Sequence, residues 1–346
     1  METGKQPQVI GIERIHSTIG DCVMIAKAIY AISVLYPNSK IILFASKMCK
    51  SLFKNFDFIS EIVVISHNTT QKQEFLDALL LHKPDVLLLL HRRSWKIKIA
   101  KQSKIPLVIT ELHMHILFSR QFRCPVYRLS YFIHGTEKIL RLVRQIDTRH
   151  YDENISKIDF SRAKIPTSTA NKEKIDLFLQ SCNADSYSKI VAINPFGKSN
   201  NESFNFTLKD WIDMAQKLAK EFPQILFILT TYQTNPVRIE IDTTQNIKIF
   251  CNDDDILNLI EFISRLDLLL SVNTGNIHIA DNLMIPTFAI NRANERYTCA
   301  GGSYGGFFDG IYLPKNYAKD YAHYLDEFYN GARNVILTML EHVPQP

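Results

Sequence analysis

The sequence predicts an α/β fold with two domains, each built on a doubly wound parallel sheet. At 346 residues the chain is longer than one hydrophobic core usually supports. Short apolar runs of strand length alternate with amphipathic stretches of helical length, which is typical of parallel sheets covered on both faces. This alternation begins once near the N-terminus and again near the middle of the chain, so the same kind of fold is predicted twice.

In the first half, five apolar runs have the length and composition of buried strands. They are VIGIERI (9–15), KIILFAS (40–46), EIVVI (61–65), DVLLLLH (85–91) and LVIT (107–110). Between the first two runs, apolar residues recur at helical spacing from Asp21 to Leu35, which predicts a helix there. Strands that alternate with helices in this way predict one parallel sheet.

A second series of five strand-like runs fills the other half. They are KIVAINPF (189–196), ILFILTT (225–231), IKIFC (247–251), LDLLLSV (266–272) and TFAI (287–290). The stretch 150–188 between the two series is polar, poor in strands and interrupted by Pro166, which indicates an interdomain connection with a short helix near 172–182. A tail with helical spacing follows from residue 320, broken only at Gly331.

These patterns predict three parts of the chain. Residues 1–170 form an N-terminal Rossmann-like domain, residues 171–319 form a second Rossmann-like domain, and residues 320–346 form a C-terminal helix that packs back on the first domain. Because open α/β sheets bind ligands at the carboxyl ends of their strands, the cleft between the domains is the predicted site.

The charge is distributed unevenly between the halves. Residues 1–150 hold 22 Lys and Arg against 11 Asp and Glu, a balance of +11, whereas the remainder holds 18 against 24, a balance of −6. The first half is therefore expected to bind an anion. Nucleic acid, a membrane surface and a phosphorylated substrate all fit this charge, and electrostatics alone does not choose among them.

Composition also limits the compartment and the chemistry. The six cysteines are scattered without CxxC spacing, which argues against a zinc cluster or a disulfide framework and favours a reducing compartment. The N-terminal residues lack the pattern of a secretory signal, and the longest apolar runs are far shorter than the ~20 residues that span a bilayer. We therefore expect a cytoplasmic protein.

The segment LDLLLSVNTGNIHIADNLMIPTFAI (266–290) has the sharpest local pattern. A buried strand is followed by a turn over Asn273, Thr274 and Gly275, and apolar spacing then predicts a helix capped by Thr274. The free N–H groups and the positive dipole end of that helix suit a diphosphate, and Gly275 allows close approach to the backbone. His278 could donate to a phosphate oxygen. An ordinary strand-to-helix turn with a core-facing histidine fits the same spacing.

Two further loops follow predicted strands. In AINPFGKSNN (192–201), Gly197 gives backbone freedom, and Lys198 and Ser199 could donate hydrogen bonds to an anion. The spacing is not that of a GxxxxGK[ST] phosphate loop. An ordinary surface loop without a ligand is the alternative. In IERIHSTIGDCVM, Asp21 follows the first strand. Asp21 is either a helix cap or a general base that takes the proton of an attacking hydroxyl.

These segments, in this order and at these distances, resemble glycosyltransferase family 9, the bacterial heptosyltransferases of lipopolysaccharide core assembly. IERIHSTIGDCVM corresponds to the family's opening strand, loop, Gly-Asp and helix; INPFGKS corresponds to its strand-Pro-x-Gly loop; NTGNIHIADNLMIP corresponds to its (D)TGxxHxAxxLxxP signature. The resemblance extends over nearly the whole chain. It implies two facing Rossmann-like domains, the GT-B arrangement, and an inverting transfer from ADP-heptose without an obligatory metal or a cofactor besides the donor.

Residue by residue, the resemblance makes Asp21 the catalytic base. The residues implied to bind the donor are Asn194, Gly197, Lys198, Ser199, Asn273, Thr274, Gly275 and His278. The basic residues implied to meet an acidic, Kdo- or phosphate-bearing core acceptor are Arg92, Arg93, Arg120, Arg123 and Arg141, for which a merely solvated basic face is the alternative. The implied partners are thus a nucleotide sugar and an anionic acceptor, with peripheral contact at the inner face of the inner membrane and no nucleic acid.

The chain departs from the family pattern at three places. Asn273 replaces the acidic residue before Thr-Gly, Phe204 and Phe206 stand where the family has lysine and tryptophan, and no acidic residue for the ribose occurs in TTYQTN (230–235). A transferase for a different nucleotide sugar is therefore an open alternative. So is a non-catalytic anion- or nucleotide-binding protein of the same fold, although Asp21 together with TGxxH favours an enzyme. A nucleotide-sugar epimerase fits this pairing less well.

Overall fold

Each half of the chain forms one six-stranded parallel sheet, which confirms the predicted α/β class. The structure, a computed structural model, describes residues 6–15, 18–125, 133–197, 204–241, 246–298 and 301–341. The chain divides into two compact units after Pro166. The predicted boundary, after residue 170, lies four residues later, because the connection ends where Ser168 caps the first helix of the second unit.

The first unit contains one sheet and its flanking helices. Its strands are β1 (Val9–Arg14), β2 (Lys40–Ala45), β3 (Glu61–Val64), β4 (Val86–Leu89), β5 (Leu107–Thr110) and β6 (Phe122–Arg123). Its helices are α1 (Ile19–Val23), α2 (Ala26–Leu35), α3 (Lys47–Phe53), α4 (Gln71–His82), α5 (Ser94–Gln102), α6 (Gly135–Arg144) and α7 (Thr148–Asn154). The single helix predicted from Asp21 to Leu35 is thus two helices, separated at Met24 and Ile25.

The second unit repeats this plan. Its strands are β7 (Lys189–Asn194), β8 (Ile225–Tyr232), β9 (Ile247–Asn252), β10 (Leu268–Val272), β11 (Thr287–Arg292) and β12 (Phe308–Leu313). Its helices are α8 (Thr169–Ser181), α9 (Leu208–Glu221), α10 (Ile256–Ser264), α11 (Gly275–Leu283) and α12 (Tyr321–Glu341). Asp255 caps α10 by accepting a hydrogen bond from the N–H of Leu257 at 3.0 Å.

The two sheets have the same strand order. In the first sheet the order is β3-β2-β1-β4-β5-β6. In the second sheet it is β9-β8-β7-β10-β11-β12, so each strand has the same neighbours as its counterpart in the first sheet. The order reverses between β1 and β4 in one sheet and between β7 and β10 in the other. Ligands of doubly wound sheets bind beyond the carboxyl ends of the strands at this switch point. The loops after these four strands are therefore the expected positions of a ligand-binding site.

The C-terminal helix α12 contributes Phe328, Ala332 and Ile336 to the core of the second unit. Its predicted packing on the first domain stays a prediction. The helix also continues through Gly331 instead of breaking there. A Cβ atom at Gly331 would lie 2.3 Å from the ring of Phe288 on β11, so the glycine allows the helix to cross that strand closely.

The described helices include none that is both long and apolar enough to cross a bilayer.

Candidate active site

Asp21 lies in the first turn of α1, beyond the carboxyl end of β1. Thr18 is the N-cap of this helix: its Oγ1 accepts from the N–H of Asp21 at 3.5 Å and donates to Asp21 Oδ2 at 3.2 Å. Arg14 Nη2 lies 2.8 Å from Asp21 Oδ1. The side chain of Asp21 is 35% exposed and lines a cavity of about 750 Å³. Asp21 is therefore not the N-cap, and its carboxylate is oriented by two neighbours beside open space.

A buried ionic network supports this carboxylate. Glu13 and Lys96 have no exposed surface, and their Oε1 and Nζ atoms lie 2.5 Å apart. Glu13 Oε1 also accepts the N–H of Ile15 at 2.9 Å. Arg14, only 3% exposed, reaches His91 Nε2 at 3.0 Å in addition to Asp21. Burial, followed by the positive charge of Arg14, lowers the pKa of His91, so this ring stays neutral near pH 7.

The predicted acceptor arginines lie at different places on the first unit. Arg93 lines the Asp21 cavity, and both Arg92 and Arg93 line a second cavity of about 720 Å³. Arg141 lies in a third cavity and contacts Glu137 at 3.3 Å. Arg123 donates to the backbone carbonyl groups of Gln145 and Ile146, after α6. The structure therefore brings Arg93 into the Asp21 cavity, and Arg92 joins Arg93 only in the second cavity.

Arg120 is exposed in the segment between β5 and β6. It lines none of the cavities described above.

The turn between β10 and α11 has the predicted form. Thr274 is the N-cap of α11, and its Oγ1 accepts the N–H of Asn276 at 3.3 Å. Gly275 is the first helical residue, and His278 is buried one turn later. The first-turn N–H groups point from this helix end toward the carboxyl edge of the sheet, where an anion gains from the helix dipole.

Asn194, at the end of β7, ties this turn to the neighbouring strand. It is 4% exposed, and its Nδ2 donates to Ser271 Oγ at 2.9 Å and to Thr274 Oγ1 at 3.2 Å. Its Oδ1 accepts from Thr230 Oγ1 at 2.9 Å. Both ends of this amide are thus engaged inside the protein, so Asn194 is placed to position the turn. Gly197 ends the described part of the following loop, and the predicted donor residues Lys198 and Ser199 lie outside the described residues.

A carboxylate stands next to Asn273 although position 273 itself is neutral. Asn273 Nδ2 donates to Glu295 Oε2 at 3.0 Å, across 22 residues of chain. Glu295 Oε1 lies 4.0 Å from Arg292 Nε, and the Arg292 guanidinium lies 4.7 Å from the ring centre of Phe204. The charge that the resemblance places at position 273 is therefore supplied nearby by a residue after β11.

Sequence reasoning missed Glu295 and the Glu13–Arg14–Lys96 network. The sequence contained a signal for the network. Glu13 and Arg14 interrupt the apolar run VIGIERI, although a fully buried strand is expected to be apolar throughout. No local pattern distinguishes Glu295, whose relation to Asn273 depends on the tertiary fold.

The fold of the two units and the candidate site residues at the carboxyl edge of each sheet define a class of protein. It is an α/β chain of two doubly wound units with the fold of the family 9 glycosyltransferases. The glycosyl transferase family 9 protein of Veillonella parvula superposes with a TM-score of 0.74 at 12% identity, over 97% of this chain and 98% of that one. E. coli ADP-heptose lps heptosyltransferase II gives a TM-score of 0.58 at 14% identity, over 82% and 84%. E. coli heptosyltransferase WaaC with ADP-2-deoxy-2-fluoro heptose gives 0.58 at 11% identity, over 91% and 99%.

In sequence, the chain is similar to lipooligosaccharide heptosyltransferase 2 of Campylobacter jejuni. The two are 24% identical over 276 residues, which cover 79% of this chain and 78% of that protein. No protein-family model matches the sequence. The similarity in sequence and fold confirms the resemblance to glycosyltransferase family 9.

Proposed function

We propose that this chain is an inverting glycosyltransferase that moves heptose from ADP-heptose to a hydroxyl group of an acidic lipopolysaccharide or lipooligosaccharide core acceptor. The main support is the placement of Asp21 and of the Thr274 turn at the switch points of two sheets with one topology. Similarity to a lipooligosaccharide heptosyltransferase supports the donor and acceptor classes.

In the proposed reaction, Asp21 takes the proton of the acceptor hydroxyl as its oxygen attacks the anomeric carbon of the donor. A bond forms between that oxygen and the anomeric carbon, and the bond from this carbon to the diphosphate oxygen breaks on the opposite side. The nucleoside diphosphate leaves with the negative charge. The N-terminus of α11 and the ammonium group of Lys198 are proposed to stabilise this charge.

The acceptor and its location are part of the same proposal. The balance of +11 in residues 1–150 supports an anionic acceptor, bound near Arg92 and Arg93 beside the Asp21 cavity. We propose that the chain acts in the cytoplasm, at the inner face of the inner membrane. A different nucleotide sugar is the second candidate donor, favoured by Asn273 at the position of the family's acidic residue.

The donor assignment can be tested by replacing Gly275 with valine. Because the diphosphate is proposed to approach the backbone at this residue, Gly275→Val should abolish binding of ADP in calorimetry. Gly135→Val is the matched control, since Gly135 is likewise the first residue of a helix but lies in the first unit. Wild-type protein with donor at 100 times its Kd should gain about 2.7 kcal/mol in thermal-shift experiments with a nucleotide-sugar panel.

Normal ADP binding by folded Gly275→Val would show that the donor turn is misassigned. A wild-type chain that binds no nucleoside diphosphate and no nucleotide sugar would favour the non-catalytic alternative.

A further inference from the structure

The segment after β5 exposes an unusual number of large apolar side chains, and we call residues 112–118 the apolar loop. Met114 is 75% exposed and Phe118 is fully exposed, while Leu112 and Leu117 are each more than half exposed. Elsewhere in the described chain, Leu80 and Leu81 are adjacent, Met48 and Val64 line one cavity, and the other exposed large apolar residues are separate in sequence. Clustered exposed apolar side chains of this kind are typical of an interaction site.

The apolar loop is anchored to the first unit. Ile116, in its middle, is buried in the core cluster of that unit. Lys101 Nζ donates to the backbone carbonyl of His115 at 2.5 Å, and Arg92 Nη1 donates to that of Leu112 at 3.5 Å. The exposed side chains are therefore presented by a fixed backbone.

Phe118 is held in a strained conformation. Its φ of 64° lies in the left-handed region, which costs a bulky residue on the order of 1 kcal/mol. The phenyl group is fully exposed, so its burial within the chain does not offset this cost. A partner that buries the ring would offset it.

The charges beside the apolar loop identify the kind of partner. Arg92 and Lys101 hold its backbone, and Arg120 follows it at two residues' distance. The adjacent acidic residue, Glu111, lies 3.7 Å from Arg92. Apolar side chains bordered by an excess of cations match a bilayer surface that contains anionic lipids, because the acyl boundary takes up the former and the phosphates attract the latter.

We infer that the apolar loop docks the first unit on an anionic lipid bilayer. Met114 and Phe118 enter the acyl boundary, and Arg92, Lys101 and Arg120 contact the headgroup phosphates. This inference deepens the proposed function. β5 lies two strands from β1 in the sheet, about 10 Å away, so a docked loop brings the edge that bears Asp21 close to the surface from which a lipid-linked acceptor projects.

Vesicle flotation tests the inference without any transfer assay. Wild-type protein should float with vesicles of equal parts phosphatidylcholine and phosphatidylglycerol and much less with phosphatidylcholine alone. Met114→Ser with Phe118→Ser should weaken binding roughly tenfold or more, and Lys101→Gln about fivefold on the anionic vesicles. The matched control is Leu81→Ser with Leu177→Ser, two similarly exposed apolar residues outside the loop, which should float like the wild type.

A second readout uses transfer with two forms of the acceptor. The Met114→Ser and Phe118→Ser double variant should keep its rate on an acceptor freed of its lipid and lose rate on the same acceptor in vesicles. Failure of the wild type to float, flotation of the double variant at the wild-type level, or equal loss in the control would overturn the inference. A change in oligomeric mass by light scattering without a change in flotation would assign the loop to a protein interface instead.

Because flotation needs no donor, a failed transfer assay would count against the proposed function and leave the lipid inference standing.

Discussion

At the carboxyl end of β1 the buried side chains are ions, whereas at the corresponding end of β7 they are neutral amides and hydroxyls. Glu13, Arg14 and Lys96 form the first set. Asn194 joins Thr274 and other hydroxyl groups in the second. The two sheets have one topology, so this difference arises from the side chains and not from the fold.

The difference matches the different tasks proposed for the two edges. A neutral network at a helix N-terminus adds no buried carboxylate that would repel a diphosphate attracted by the helix dipole. A carboxylate that must accept a proton needs partners that orient it. Buried ions supply this at the cost of desolvation, and each depends on the other members of the network.

The largest expected effect follows from removing the proton acceptor. Asp21→Asn keeps the side-chain shape but removes the carboxylate partner of the buried Arg14, so turnover should fall roughly 10²–10⁴-fold, with ADP affinity little changed and a moderate loss of stability. The matched control is Asp210→Asn in the second unit, because Thr207 and Asp210 repeat the hydrogen bonds of Thr18 and Asp21 at the start of α9. The control should keep its turnover.

A fall in turnover no larger than the unfolded fraction of Asp21→Asn explains would indicate a structural role for this carboxylate. Wild-type turnover in the folded variant would exclude Asp21 as the base.

A somewhat smaller effect, on stability, tests whether the ionic network is interdependent. Lys96→Met leaves Glu13 buried without its ammonium partner and should destabilise the first unit by about 3–5 kcal/mol. Lys98→Met, two residues along the same helix at an exposed position, should change stability by less than about 0.5 kcal/mol. Chemical denaturation of both variants measures the difference, and adding Glu13→Gln to Lys96→Met should recover part of the loss. Equal stability of the two single variants would contradict an interdependent network.

The smallest effect concerns the charge beside the donor turn. Asn273→Asp replaces a hydrogen bond to Glu295 with two carboxylates in contact, and it should lower stability by about 1–2 kcal/mol at neutral pH. Combining it with Glu295→Gln should restore most of this stability, which a double-mutant cycle measures. Additive effects of the two substitutions would show that they do not interact.

The central strands of both units could be predicted from sequence because each is a short, continuous apolar run. Two of the four edge strands, β6 and β12, were missed for different reasons. β6 has only two residues, and in β12 (FDGIYL) only Ile311 and Leu313 are buried and a glycine lies near the middle. The core to which α12 contributes could not be predicted, since its apolar face fits any apolar surface.

The parts of the candidate site that could be predicted are those whose pattern lies within a single loop of the sequence. Thr274 is recognisable as a cap because its neighbours form a strand and a helix, and the structure confirms this cap. Contacts between distant segments had no such signal: Asn273 meets Glu295, and Arg14 lies between Asp21 and His91. The roles proposed for Asp21 and for the arginines stay predictions, because placement alone does not establish chemistry.

The packing of α12 has a consequence for synthesis of the chain on the ribosome. The first unit ends at Pro166 and has all its strands early, but the core of the second unit stays open until Ile336 has emerged. At 5–20 residues per second, translation from the end of β11 to Ile336 takes roughly two to nine seconds. During that interval the apolar side of β11 that includes Phe288 lacks α12. The nascent second unit therefore exposes apolar surface until α12 has been made.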